Sequence, residues 1–346
     1  MNAGLQKLGA QLSTYLSETW KCSVTIESVE QISGGASRQT YRIKLKKADK
    51  EENLILRRDP ATSLIDTERQ WEYRTYEAVY GTCLPVPEPI LLEEDSAVLN
   101  QPFSLMREIG DCESALAALL TSPFVEHQDS IGHQFWTYAG KLSALSIDEL
   151  GVNSFMPVHD HPAQHELNYW TQVIRNDQLH PQPVAEACIR WLNKHLPDAS
   201  GEQCLVHGDY RSGNFLYNKN GEIKGILDWE MAHIGDPLED LAWSLEPLWG
   251  QDKFLAGNLL PRERAIEIWE SASGIKVNRE AFQWWQMFAS LKGLAIWISS
   301  AEDFANGQSK EPILALAGWL LGEQQNRIIV DRLSPSSAHQ LVEALV

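Results

Sequence analysis

From about residue 113 onward the chain reads as helix almost without interruption. One stretch breaks the pattern, LVHGDYRSGNFLYNKNGEIKGILDWEMAHIGDP at 205–237, where three short β-runs, CLVH, NFLYN and KGILDW, carry His207, Asp209, Asn214, Asp228 and Asp236 near their ends. Polar groups set among apolar runs are costly to hold near a core unless they are paired, hydrogen-bonded or bound to an ion. The periodic stretches around the island, at 130–147, 163–177, 183–196, 262–273, 279–301 and 311–332, keep apolar residues at helical spacing. Eleven of the 13 tryptophans lie in this half, which predicts a large aromatic core. A helical body enclosing one loop-rich β-island is the arrangement in which a rigid scaffold presents functional groups.

The other end of the chain has a different period. VTIESVEQI, TYRIKLKK and LILRRDP alternate apolar and polar residues and are separated by SGGAS and by the charged DKEEN, which predicts an antiparallel meander over 23–58. TSLIDTERQWEYRTYEAVYG then returns to helical spacing, and PVPEPILLEED and AVLNQPFSLMREIG read as two further strands. Pro85, Pro87 and Pro89 confine the first of these to an edge or an extended path. An amphipathic helix, MNAGLQKLGAQLSTYLSETW, precedes the sheet. The expected fold class is therefore α+β in two lobes. A small N-terminal lobe, residues 1–108, holds a five-stranded antiparallel sheet and a helix after its third strand; a large, mostly helical C-terminal lobe occupies 109–346.

Composition removes several function classes. The net charge of -18 repels nucleic acid phosphates and anionic lipid surfaces. Residues 38–74 run against this trend, with ten Lys or Arg facing seven Asp or Glu, and a basic patch of that kind suits a small anion such as a nucleotide phosphate. No run of about 18 apolar residues is present to cross a membrane, and the N-terminal segment lacks a signal-type apolar core. A cytoplasmic protein is expected. Cys22, Cys83, Cys112, Cys188 and Cys204 are scattered and odd in number, which predicts reduced core thiols rather than disulfides or a zinc site. His159, His161 and His165 stand before a helix and are expected at the surface. The Trp-rich FQWWQMFASLKGLAIWISS is expected to be core.

His207, Asp209 and Asn214 follow the spacing H-x-D-x-x-x-x-N, and Asp228 comes fourteen residues after Asn214. This is the pattern of the protein-kinase catalytic loop and its metal-binding aspartate. Phosphoryl transfer needs hard oxygen ligands for Mg²⁺ and a carboxylate near the attacking hydroxyl, and this set supplies both. A metal-dependent hydrolase is the alternative for such residues, but the additional histidines or HExxH motif that would favour zinc are missing.

HGDYRSGNFL and ILDWEMAHIGDPLEDLAW resemble the aminoglycoside phosphotransferase and choline kinase superfamily, whose members have a protein-kinase-like fold. Within it they are most similar to the small-molecule phosphotransferases related to the kinase-like domains of acyl-CoA dehydrogenase family members ten and eleven. The resemblance runs over about residues 20–330. It implies that Asp209 is the catalytic base, that Asn214 and Asp228 are the Mg²⁺ ligands, that His207 supports the loop, and that Asp240 holds the loop backbone. In SGGAS it implies a short phosphate-covering loop, with Gly34 and Gly35 admitting the phosphates and Ser33 or Ser37 donating to them. Arg57 stands where such kinases have Lys, with Glu72 as its partner; Arg58 is the fallback candidate, although strand alternation turns it to the opposite face. Guanidinium is bulkier than ammonium and forks across two acceptors, so Arg57 is a departure from the family pattern. FSLMREIG resembles the hinge, where backbone near Met106 and Glu108 would meet adenine.

The resemblance implies ATP, or GTP, as phosphoryl donor, Mg²⁺ as cofactor, and the hydroxyl of a small molecule as acceptor. A nucleotide-binding pseudoenzyme acting as a regulatory module is the other alternative, and it has no need of Asp209. An acidic C-terminal lobe favours a cationic acceptor such as an aminoglycoside or choline, whereas the subgroup resemblance favours a hydroxy acid or hydroxyacyl metabolite.

Overall fold

The computed structural model describes residues 3–32, 39–58, 66–198, 202–251, 254–309 and 311–334. The chain forms two compact units, one comprising Met1–Cys112 with Lys224–Glu230, the other Glu113–Ile223 with Met231–Val346.

In the first unit helix α1 (Ala3–Trp20) buries Leu8, Leu12 and Leu16, four residues apart on one face. They pack with Val29, Ile43, Leu45, Leu54 and Leu56 of the sheet. Gly9 lets the helix settle on the first strand, since a Cβ there would lie 3.3 Å from Val29 Cγ2. Strands β1 (Val24–Ile32), β2 (Gln39–Lys47), β3 (Lys50–Arg58), β4 (Pro89–Glu93) and β5 (Phe103–Arg107) form a sheet of order β1-β2-β3-β5-β4, antiparallel throughout. Helix α2 (Asp66–Val79) follows β3.

Two local expectations need correction. The β2–β3 turn is Ala48–Asp49, both at positive φ, and β3 already begins at Lys50, so most of DKEEN lies in the strand. A two-residue turn with both residues left-handed matches the twist of the paired strands. It also sets Lys46 opposite Glu51, within 3.9 Å. The stretch AVLN is not strand: Ser96–Leu99 is a short helix, α3, capped by the Asp95 carboxylate accepting from Ala97 N and ended by left-handed Asn100. The capping aspartate decides the local conformation there. Pro89 opens β4, an edge strand, where its missing N–H costs no ladder bond.

In the chain β6 (Cys112–Glu113) precedes the helices of the second unit: α4 (Gln128–Ser143), α5 (Ile147–Leu150), α6 (Pro162–Asp177) and α7 (Pro183–Lys194). The island supplies β7 (Cys204–Val206), β8 (Phe215–Asn218), β9 (Ile223–Ile226) and β10 (His233–Gly235), the last pairing antiparallel with β7. Then come α8 (Leu238–Ser244), α9 (Arg262–Ser273), α10 (Arg279–Ala305), α11 (Pro312–Leu316), a π-turn at Ala317–Leu321 and α12 (Gly322–Leu333). Helix α10 is buried on every side from Trp284 to Ala295, as a central helix must be. Trp136, Trp243, Trp269, Trp284 and Trp285 are among the largest fully buried side chains. Of the cysteines, Cys188 and Cys204 are core, but Cys22 and Cys112 are half-buried and Cys83 is exposed, so the expectation of five core thiols holds for two. No described helix is long and apolar enough to cross a membrane.

Helices α4 and α9 touch through Gly140. A Cβ built there would lie 2.6 Å from Trp269 O and 2.7 Å from Ala272 Cβ, both too close and one of them backbone. Gly140→Ala is therefore expected to destabilise the fold by about 1–3 kcal/mol, despite alanine's better helix propensity. Urea unfolding checks this; an unchanged or raised midpoint would contradict the packing described.

Candidate active site

In the second unit the HGD turn follows β7. Gly208 has φ +83, and a Cβ on it would stand 2.3 Å from Met231 O, so no other residue fits that turn without displacing backbone. Asp240, near the start of α8, accepts from His207 N at 2.7 Å with Oδ2 and from Gly208 N at 3.0 Å with Oδ1. Burial pushes the Asp240 carboxyl above its ordinary value, opposed by His207 and its backbone N–H. His207 is fully buried, and its Nδ1 accepts the Asp209 amide at 3.2 Å.

Asp209 emerges from this turn with its carboxylate surrounded by donors. Trp243 Nε1 reaches Oδ1 at 2.8 Å, Arg211 Nε lies 3.0 Å from both oxygens, and Asn214 Nδ2 lies 2.7 Å from Oδ2 and 2.9 Å from the Asp209 carbonyl. The Arg211 guanidinium also lies 5.4 Å from the ring of Trp249. Asn214 thus uses its amide nitrogen to fix Asp209; among the described residues nothing donates to its Oδ1, the atom a hard cation would take.

Beneath the turn sits a second layer. Lys292 of α10 and Glu239 of α8 are 1% and 2% exposed and 3.0 Å apart. Lys292 Nζ also donates to Gly208 O at 2.7 Å. His233 Nε2 lies 3.1 Å from Glu239 and 3.8 Å from Glu166, and its Nδ1 lies 3.0 Å from Met231 O. Burial alone would push His233 down, but the Glu239 and Glu166 carboxylates outweigh it and hold the imidazole up at about 10. Glu239 is likewise held below its usual range, burial being overcome by Lys292 and His233. Glu166, His233 and Glu239 have ligand atoms within 4.8 Å of one another, a spacing a metal could use, yet Lys292 and a protonated His233 already balance the two carboxylates.

The first unit carries Arg57, Glu72 and Asp228. Leu54 and Leu56 face α1, so alternation turns Arg57 to the other face, where it pairs with Glu72 of α2 and, through NH2, with Asp228 Oδ1 at 3.2 Å. Burial opposes its charge, but Tyr76, Asp228 and Glu230 hold the Arg57 pKa above its ordinary value. Asp228 N donates to the Tyr76 hydroxyl at 2.9 Å, and Asp228 itself sits at φ 69. A non-glycine residue held there is strained, and such strain concentrates at functional positions. Arg58 turns away to Gln39 and the ring of Tyr41. Met106 is buried and pairs with Ile55 and Pro89, while Glu108 donates its amide to Asn53 O at 3.0 Å and its carboxylate meets Arg42. Ser33, Gly34, Gly35 and Ser37 lie outside the described residues.

The three histidines before α6 hold no common centre: His159 and His165 stack at 3.5 Å between ring centroids, and His161 caps the helix. Sequence reasoning missed Trp243, Arg211, Lys292 and Glu239. Trp243 was available, since it follows Asp240 by three residues and so shares its helix face.

Comparison with known proteins shows the family of the chain. Residues 28–273 match the model of the phosphotransferase enzyme family. The chain belongs to that family. Its relatives include mouse acyl-CoA dehydrogenase family member 10, 29% identical over 62% of this chain, and mouse family member 11, 24% identical over 80%. The matched regions span only 20% and 35% of those proteins' own length. Among solved structures, a Ralstonia eutropha JMP134 protein assigned to the aminoglycoside phosphotransferases superposes with a TM-score of 0.74 at 19% identity, covering 93% of this chain and 97% of that one. The GDP complex of wild-type aminoglycoside 2'-phosphotransferase-IIIa gives 0.65 at 16%, covering 92% and 98%. The fold of this chain is thus the two-lobed, kinase-like α+β fold anticipated above.

The half-buried His233 makes stability depend on pH. Its folded pKa of about 10 lies above the unfolded value of about 6.5, so its contribution is fully present below pH 6.5 and is lost as pH rises toward 10. Wild type should lose stability between pH 7 and 10 more steeply than His233→Gln, measured by urea unfolding at each pH. Parallel curves would show that the imidazole is not held protonated.

Proposed function

We propose that this phosphotransferase is an ATP-dependent, Mg²⁺-requiring kinase that transfers the γ-phosphoryl group to a hydroxyl of a small molecule. The observation that carries the reading is the Asp209 carboxylate, 14% exposed and held by Trp243, Arg211 and Asn214 at the tip of a turn whose backbone is itself fixed. A carboxylate so oriented is suited to accept the proton of an attacking alcohol; transfer then proceeds by positioning and charge stabilisation more than by covalent chemistry.

Asn214 and Asp228 would hold the metal. Each has an oxygen that no described residue occupies, Asn214 Oδ1 and Asp228 Oδ2, and both are hard donors of the kind Mg²⁺ takes. Mg²⁺, when bound, would neutralise charge on the nucleotide phosphates. Arg57, fixed by Glu72, would meet those phosphates in place of the usual lysine. Its fork leaves it able to hold Asp228 at the same time. Nucleotide complexes occur among the structural neighbours, including APH(4)-Ia with AMP-PNP and hygromycin B, which supports a nucleotide donor and a small acceptor here.

Three substitutions test these roles. Asp209→Asn keeps shape but loses the charge that receives the proton, so turnover should fall about 10²- to 10⁴-fold while nucleotide affinity and melting temperature stay near wild type. Near wild-type transfer by this variant would sink the assignment. Asp228→Ala should abolish the Mg²⁺ dependence of ATP binding in calorimetry; an unchanged Mg²⁺ effect would argue against the ligand role. Arg57→Ala should weaken ATP binding by about 1 kcal/mol or more, and Arg58→Ala should leave it within experimental error. The reverse order would move the phosphate contact to Arg58.

A further inference from the structure

We infer that Lys292 is a positioning residue for phosphoryl transfer: from the buried helix α10 it fixes the peptide carbonyl of Gly208 and thereby the direction in which Asp209 points. This rests on the role proposed for Asp209.

The Gly208 peptide unit lies between two anchors. Its N–H and that of His207 go to Asp240, whereas its carbonyl, which belongs to the peptide bond entering Asp209, accepts from Lys292 Nζ at 2.7 Å. The N–H of that same peptide bond donates to His207 Nδ1 at 3.2 Å, so the lysine holds the carbonyl side of a plane whose other side His207 holds. Lys292 has a second route to the same carboxylate. Its ammonium lies 5.1 Å from the ring of Trp243, whose Nε1 donates to Asp209 Oδ1 at 2.8 Å.

A fully buried ammonium is costly to hold for packing alone, and a Leu or Met at this point of α10 would fill the same space. The surroundings are arranged to retain the charge. Glu239 lies 3.0 Å away, and His233 and Glu166 close the group with a second opposite pair. Two carboxylates thus face two cations, all four among α6, β10, α8 and α10, and the one hydrogen bond that leaves the group from Lys292 goes to the loop.

The test separates positioning from folding. Lys292→Met leaves Glu239 buried without its lysine, so a large drop in melting temperature is expected. The charge-balanced Lys292→Met/Glu239→Gln protein removes one charge of each sign and should melt close to wild type. Its ATP turnover, measured as ADP release from Mg·ATP with water as acceptor, should still fall about 10- to 100-fold, with KM for ATP within about threefold of wild type. The ¹⁵N-labelled side-chain amide of Asn214, which touches Asp209 but not Lys292, reports the carboxylate independently of activity. Its peak, assigned with Asn214→Asp, should move in the double variant toward its position in Asp209→Ala. A double variant with wild-type turnover and an unmoved Asn214 amide would overturn the inference and leave Lys292 a structural charge. If wild type releases no ADP with water as acceptor, the amide peak alone decides whether Lys292 aims Asp209, and the kinase reading is decided separately by transfer to an alcohol.

Discussion

The site depends first on Asp240. With one carboxylate it accepts the amides of His207 and Gly208, and this pair of bonds fixes a turn that would otherwise expose two buried N–H groups. Everything at Asp209 follows from that anchoring. The glycine between them must be a glycine, because Met231 O occupies the space a Cβ would need. Trp243, one helical turn along from Asp240, then reaches the Asp209 carboxylate from the same helix. Anchor and donor share α8, so the geometry of the loop is tied to a short buried helix and not to the flexibility of the loop itself.

The first unit solves a related problem differently. Asp228 is kept in a left-handed conformation by contacts from outside its own turn: Tyr76 accepts its amide, and Arg57 pairs with its carboxylate. The Arg57 guanidinium serves Glu72 and Asp228 through different nitrogens. A lysine would have to share one ammonium between them.

Much of this arrangement was legible in the sequence, since period reports burial. Strands β1 and β2 and the helices α6, α7, α9 and α10 are strongly patterned, and their expected limits differ from the observed ones by a few residues. What failed was short or locally decided. AVLN is apolar enough for a strand, but Asp95 caps a single helical turn there; β10 is three residues long and carries no readable period. Arg57 and Glu72 were singled out and stand in contact, because alternation along β3 and the apolar face of α2 leave them facing the same space. Lys292 was missed for the opposite reason. It appears as the one charge between Ala281 and Ala301 of α10, and only the structure shows that Glu239, 53 residues earlier, meets it. The signal existed: a lysine inside a run with no polar face must have a buried partner.

The central claim is that this chain moves a phosphoryl group from ATP to an alcohol using Asp209. Phosphorus NMR of the protein with Mg·ATP and a panel of small hydroxy compounds, both cationic and anionic, follows the group directly. The account predicts a new phosphate-ester resonance with one class of acceptor, growing as the ATP γ-signal falls, and no such resonance with Asp209→Asn. Inorganic phosphate as the sole product across the panel, or an ester formed equally fast by the Asn variant, would contradict it.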